Sequence, residues 1–261
     1  WHTYHITLKK AIESGRISES WVEARARQWG RQSAIFKNRV EGEFAEDAEQ
    51  TVVPLSWVEQ AQARYREWQS EQKGHIDPRW VTVWGVDPAD TGSDETVIIK
   101  LQGNVVTEIK ASQTLDLMKT AGYLHAHVKK GQRIGVDVIG VGAGVKSRLL
   151  ELNHNVLAVN VSKRTDRRDS TGSYDFFNLR SYVWWLIREA IDPNNPDALM
   201  LPPDDKLAGD ISSAKYFYTS DGKIRVESKD NIRDFLGRSP DRADALALAL
   251  YARTRQPARF V

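Results

Sequence analysis

The sequence predicts an α/β fold: a mixed β-sheet flanked by helices, behind an N-terminal helical extension. Three observations predict it. Strand-like apolar runs come first as a meander around a tight turn, then alternate with helix-length segments, and a helix closes the chain. The run at 80–87 is apolar at most positions, as expected of a strand covered on both faces. A second strand-like run, 133–137, ends like the first in an aspartate.

Residues 1–74 read as helical and rich in Trp. Ser18 is placed to cap a helix through Trp21 and Trp29, with Gly30 as its stop. Ser56-Trp57-Val58-Glu59 has capping-box spacing and opens a second helix that ends near Gly74. Asp77-Pro78 disfavours further helix, so residues 75–78 read as a linker. The expected division is therefore 1–74 and 75–261. Strands follow at 80–87, 95–101 and 105–110, the last two joined across Gln102-Gly103-Asn104. A helix at 114–129, a strand at 133–137, a Gly-rich loop and a helix to about 152 come next. Then follow a strand at 156–161, a polar loop to 175, a helix at 176–191 and Pro-rich loops at 193–203. A second hairpin turns on Ser220-Asp221-Gly222, and a last helix spans 240–255.

Composition narrows the chemistry. The 261 residues contain no Cys, which excludes disulfides, thiolate metal sites and cysteine nucleophiles. Six scattered His suggest no zinc set; His125 and His127, two apart, face different ways on a helix. The net charge is only +2, so any nucleic-acid binding must use local basic patches. No apolar run reaches the roughly 18–20 residues of a membrane helix, and no secretory leader is visible. The 35 Asp and Glu remain as hard-metal ligands.

Asp87 and Asp137 each end an apolar strand, so both reach one edge of the sheet, where open α/β sheets bind ligands. Alone, either also reads as a turn residue or helix cap. Asp244 is the stronger signal. Leu248 and Tyr251 follow it at i+4 and i+7, so it continues an apolar stripe, where an unpaired carboxylate costs several kcal/mol. A bound cation or an Arg partner removes that cost. Ser239 and Pro240 suit a helix start, and Asp241 suits its first turn. Three such carboxylates suit Mg²⁺ or Mn²⁺. Two ions about 4 Å apart can activate water and stabilise the leaving oxygen of a phosphodiester.

Three motifs, in this order, carry a family resemblance: Gly85-Val86-Asp87-Pro88 through Asp94-Glu95-Thr96, Gly135-Val136-Asp137-Val138, and Ser239-Pro240-Asp241-Arg242-Ala243-Asp244. Over residues 78–255 the sequence resembles the nuclease part of the large terminase subunit of tailed bacteriophages. The resemblance implies an RNase H-like fold and low-specificity cleavage of double-stranded DNA during genome packaging. It implies two Mg²⁺ or Mn²⁺ ions held by Asp87, Asp137 and Asp244, with Asp94 and Asp241 as secondary acids. It also implies portal and small-subunit partners, the host cytoplasm, and an isolated domain that is monomeric but assembles on the capsid. Residues 36–44 and 53–61 resemble the stretch that joins the packaging ATPase to the nuclease. The chain therefore reads as the C-terminal part of a longer protein, and residues 1–74 as the end of the ATPase region.

Two other readings stay open. Gly140 to Ser147 nearly matches a P-loop, but Val145 stands where the loop needs Gly. An RNase H-like module could also grip DNA without cutting, although carboxylates near phosphate repel unless a cation intervenes. Lys163, Arg164, Arg167 and Arg168 in the polar loop, with Lys229 and Arg225 near the second hairpin, are the candidate DNA-backbone contacts. Trp184-Trp185 reads as core rather than as a base-stacking pair.

Overall fold

The computed structural model describes residues 6–29, 31, 36–42, 50–89, 94–113 and 116–254. Gly30, the 90–93 turn and residue 255 lie outside the described residues. In chain order the elements are α1 (Leu8–Glu13), α2 (Glu19–Trp29), a π-helical turn (Lys37–Glu41), α3 (Leu55–Glu71), β1 (Thr82–Asp87), β2 (Thr96–Gln102) and β3 (Val105–Ser112). Then come α4 (Leu117–His127), β4 (Arg133–Asp137), α5 (Gly142–Glu151), β5 (Asn155–Val159), α6 (Leu179–Ile191), α7 (Asp205–Ser213), β6 (Tyr216–Tyr218), β7 (Ile224–Val226), α8 (Lys229–Leu236) and α9 (Asp241–Thr254).

The predicted mixed sheet forms, with strand order β3-β2-β1-β4-β5. β1, β2 and β3 are antiparallel neighbours, whereas β1, β4 and β5 run parallel. Alternation along the strands gives the sheet two apolar faces. Trp84, Val86, Ile98, Ile134 and Val136 pack under α4 and α5. Val83, Val97, Ile99 and Leu101 face a larger core built from α3, α6, α7 and α9. Val52, Val53, Leu55, Val58 and Ala61 from the N-terminal region are buried in that same core.

Small residues bring α9 onto the sheet. A Cβ on Gly85 would lie 2.0 Å from the Ala245 carbonyl oxygen, and one on Gly135 would lie 2.6 Å from that of Leu248. Only glycine admits such an approach. The Ala and Leu repeat of α9 supplies the matching surface.

Three local expectations change. α3 begins at Leu55 behind Pro54, with no side-chain cap, so Ser56 lies inside the first turn and no capping box opens the helix. The Gly-rich loop is shorter than expected, because α5 already starts at Gly142. Helices α7 and α8 were not expected. By contrast, Ser18 accepts the Trp21 N–H at 3.2 Å, as expected of a cap.

Candidate active site

Period-two alternation places the first two acids. Asp87 follows Gly85, and Asp137 follows Gly135, by two residues on adjacent parallel strands paired at Val86 and Val136. Both aspartates therefore lie on the α9 side of the sheet, at its C-terminal edge. Asp241 and Asp244 come from the first turn of α9, above that edge. The structure thus brings Asp87, Asp137 and Asp244 to one cavity of about 550 Å³, together with Asp94.

A lysine lies among the acids. Lys229, the first residue of α8, is aimed by the Ser228 cap, which accepts the Asn231 N–H at 3.1 Å. Its Nζ lies 3.0 Å from Asp87 Oδ2, 3.0 Å from Asp241 Oδ1 and 3.1 Å from Asp244 Oδ2. Lys229 was expected at the DNA backbone; the structure places its ammonium among three carboxylates.

Asp244 has further partners. Its Oδ1 accepts from Arg180 Nη1 at 2.9 Å and from the Trp184 indole N–H at 2.8 Å. The internal salt bridge weighed against a metal role is therefore present. Trp184 and Trp185 are buried, as expected of core residues. Asp241 does more than suit a helix start: its Oδ2 accepts the Glu95 backbone N–H at 2.9 Å. Asp137 accepts only the nearby Ile139 N–H, at 2.9 Å, among its described hydrogen bonds. Asp94 pairs with Arg233 at 2.8 Å.

Electrostatics separate the acids. Burial pushes Asp87 up to about 8, with the Lys229 ammonium opposing and Asp244 and Asp241 reinforcing the rise. Burial also raises Asp137, against the Ile139 N–H. Burial acts the same way on Asp244, but Arg180, Lys229 and the Trp184 N–H outweigh it and hold this carboxyl below the usual range. Burial alone would lower Lys229; the surrounding aspartates raise it, so it stays charged.

Among the described residues, no group of three or more His, Asp or Glu is set ready to hold a metal ion. Lys229 Nζ lies where three carboxylates converge. The donor set still fits a hard cation. Asp87, Asp137, Asp241 and Asp244 offer oxygen ligands only, and Lys229 and Arg180 leave part of their charge uncompensated.

The other basic candidates lie elsewhere. None of Lys163, Arg164, Arg167 and Arg168 lines this cavity, and Arg168 pairs with Asp175 at 3.0 Å. Arg225 does line it. The P-loop-like segment forms no eight-residue loop: Gly140 and Val141 make a turn, and α5 occupies the rest. A Cβ on Gly142 would meet the Asp137 carbonyl oxygen at 1.8 Å, which explains that glycine by packing. No described helix is long and apolar enough to cross a membrane.

No family profile and no curated protein matches the sequence. Solved structures do. The nuclease domain of the large terminase subunit gp2 of bacterial virus Sf6 aligns with a TM-score of 0.62 at 19% identity, over 80% of this chain and 100% of its own. A mutant of that domain solved with manganese and beta-thujaplicinol gives the same TM-score, identity and coverage. A mutant solved with calcium gives 0.61 at 19% identity, over 77% and 98%. The chain has the fold of these nuclease domains. Within this terminase-nuclease fold, the acid-lined cavity lies at the C-terminal edge of the two central parallel strands.

Proposed function

We propose that the chain is a divalent-metal-dependent endonuclease that cuts double-stranded DNA, with little sequence preference, during viral genome packaging. The observation that carries this reading is the cluster of carboxylates at the strand edge. Asp87, Asp241 and Asp244 share the Lys229 ammonium, Arg180 also pairs with Asp244, and Asp137 has no ion pair among the described residues, in surroundings where unpaired charge is costly. Asp87, Asp137 and Asp244 would hold Mg²⁺ or Mn²⁺, in two positions, with Asp241 assisting and Asp94 outside the ligand ring. Such ions supply a nucleophile at neutral pH and offset charge on the leaving oxygen.

The protein's own residues do the rest. Arg180 fixes the Asp244 carboxylate through one Nη, while its second Nη is buried without a hydrogen-bond partner. Lys229 neutralises the acids until cations arrive; its side chain is 32% exposed, against 9% for Asp87. Residues 1–74 are read as the end of a preceding ATPase region docked on the nuclease core. Portal and small-subunit partners follow from the phage resemblance.

The test is plasmid cleavage with Mn²⁺, Mg²⁺ or chelator, for the wild type and for Asp87→Ala, Asp137→Ala and Asp244→Ala. Replacing an outer ligand partner typically costs 10–100-fold, so loss of a ligand is expected to cost about 100-fold or more. Undiminished cutting by all three variants would overturn the site. A second reading rests on Lys229: with its ammonium fixed among the acids, the fold grips DNA without cutting. DNA binding without metal, and no cleavage under any divalent cation, selects that reading.

A further inference from the structure

The β6–β7 hairpin carries a surface feature outside the acid cluster. β7 has a neighbour on each side. Phe217 of β6 lies opposite Arg225 of β7. On the other edge Phe176 bridges Ile224, and the Phe177 N–H donates to the Ile224 carbonyl at 2.9 Å. Ile224, Val226 and Phe176 are buried, so alternation turns Arg225 and Phe177 to the outer face. The Arg225 guanidinium lies 4.5 Å from the Phe177 ring centre and 5.7 Å from that of Phe217. The result is a row, Phe217–Arg225–Phe177, across the hairpin and the segment bridged to it.

Both rings in the row remain open, Phe217 at 41% and Phe177 at 42% exposure. The row also joins the cavity: Arg225 lines it, and so does Asn178, the residue after Phe177. A cation between two aromatic faces, at the rim of a cavity that holds both carboxylates and guanidinium groups, matches one kind of ligand well. Bases stack on aromatic rings without regard to sequence, and a guanidinium both stacks and donates to phosphate. Base faces are accessible only where strands are unpaired; an intact duplex shows them only at its ends.

We propose that the Phe217–Arg225–Phe177 row is a stacking platform for unpaired nucleotides, holding a melted or frayed segment of DNA beside the acid-lined cavity. The proposal rests on reading that cavity as a DNA-cleaving site.

The test is binding in chelator, so that cleavage does not enter. The probes are labelled oligothymidine of about 12 nucleotides, an abasic strand of the same length, and a blunt duplex, read by fluorescence anisotropy. Wild type is expected to prefer oligothymidine over the abasic strand. Phe177→Ala and Phe217→Ala are each expected to weaken oligothymidine binding by about 5- to 150-fold and to leave abasic binding unchanged. Tyr218, on the opposite face of β6 and 54% exposed, provides the control, and Tyr218→Ala is expected to bind as wild type does. Phe217→Trp keeps the stacking surface and is expected to bind oligothymidine within about 2-fold of wild type. Equal binding of both strands by the wild type, equal weakening by Tyr218→Ala, or loss of binding in Phe217→Trp as large as in Phe217→Ala would each overturn the platform. Failure here leaves plasmid cutting intact, whereas failure of the nuclease reading leaves this metal-free binding intact.

Discussion

On one flank of the first turn of α9, Asp204, Asp210 and Glu95 meet Lys206, Arg238 and Arg242: three carboxylates and three cations. Arg238 and Arg242 pair with Asp210 and Asp204, and Lys206 lies 2.9 Å from Glu95. The Arg242 backbone N–H donates to Asp210 at 3.1 Å. On the other flank Asp87, Asp137, Asp241 and Asp244 meet only Lys229 and Arg180. Both groups sit at the same helix end and are largely buried. The difference teaches that burial and ion pairing do not by themselves mark a site; an unmatched count does. The balanced network ties α7, α9 and the start of β2 together. On the proposed reading, the unbalanced one keeps carboxylates for a bound cation.

The largest expected effect is in the balanced network. Asp210→Ala leaves Arg238 without its carboxylate in a buried setting, and breaking such pairs typically costs about 3–5 kcal/mol. The urea midpoint is expected to fall by that amount at unchanged slope, while the folded fraction keeps its cleavage rate. Unchanged stability would remove the distinction between the flanks.

Burial raises Asp210 too, to about 7, against Arg238 and Arg242, so it is the response to metal that is expected to set the other flank apart. Burial holds Asp87 up at about 8, above an unfolded value of about 4. Its contribution to metal-free stability is therefore full below pH 4 or so and is lost as pH rises through the folded value. Asp87→Asn removes that slope. In chelator near neutral pH it is expected to match the wild type or exceed it by about 1 kcal/mol, while cleavage is lost. Saturating Mn²⁺ is expected to reverse the order, adding about 2.7 kcal/mol to the wild type at a hundred times its Kd and little to the variant. Thermal melts across pH, with and without Mn²⁺, read both signs. A variant less stable than wild type in chelator at neutral pH would place Asp87 with the structural pairs.

The two flanks were unequally legible in the sequence. The strand ends at Asp87 and Asp137, the Gly103 turn and the final helix follow from local patterns, because a strand's last residue and a helix's apolar stripe are short-range features. The fold class follows from their order. Arg180 and Trp184 were missed as partners of Asp244 because they lie 64 and 60 residues away and share no local pattern with it. α7 and α8 are short, and their start signals were available: Asp204 and Ser228 cap them, and Gly237 closes α8 in the left-handed region. Reading Ser228 as a cap would have placed Lys229 at a helix start. It would not have shown that three carboxylates surround its ammonium, since that depends on how α8 and α9 pack.

Glu95 belongs to both flanks and gives the finest test. Its side chain pairs with Lys206 and with Arg242, at 2.9 and 3.4 Å, in the balanced network. Its backbone N–H donates to Asp241 in the other. Glu95→Gln removes the charge and keeps the N–H. The carboxyl is partly exposed and solvent screens it, so the expected loss is only about 0.5–1 kcal/mol. Burial raises this carboxyl, but the Lys206 hydrogen bond and the Arg242 and Lys206 charges lower it overall. Its contribution is thus present above the unfolded value and is lost as pH falls through the lowered one, so wild type and variant converge in acid. Because Asp241 keeps its donor, cleavage is expected to stay within about 2-fold of wild type, since a 1.4 kcal/mol change would be needed for 10-fold. A large loss of cleavage at unchanged stability would show that the flanks are coupled through this residue's charge and that the balanced network helps to set the acid site.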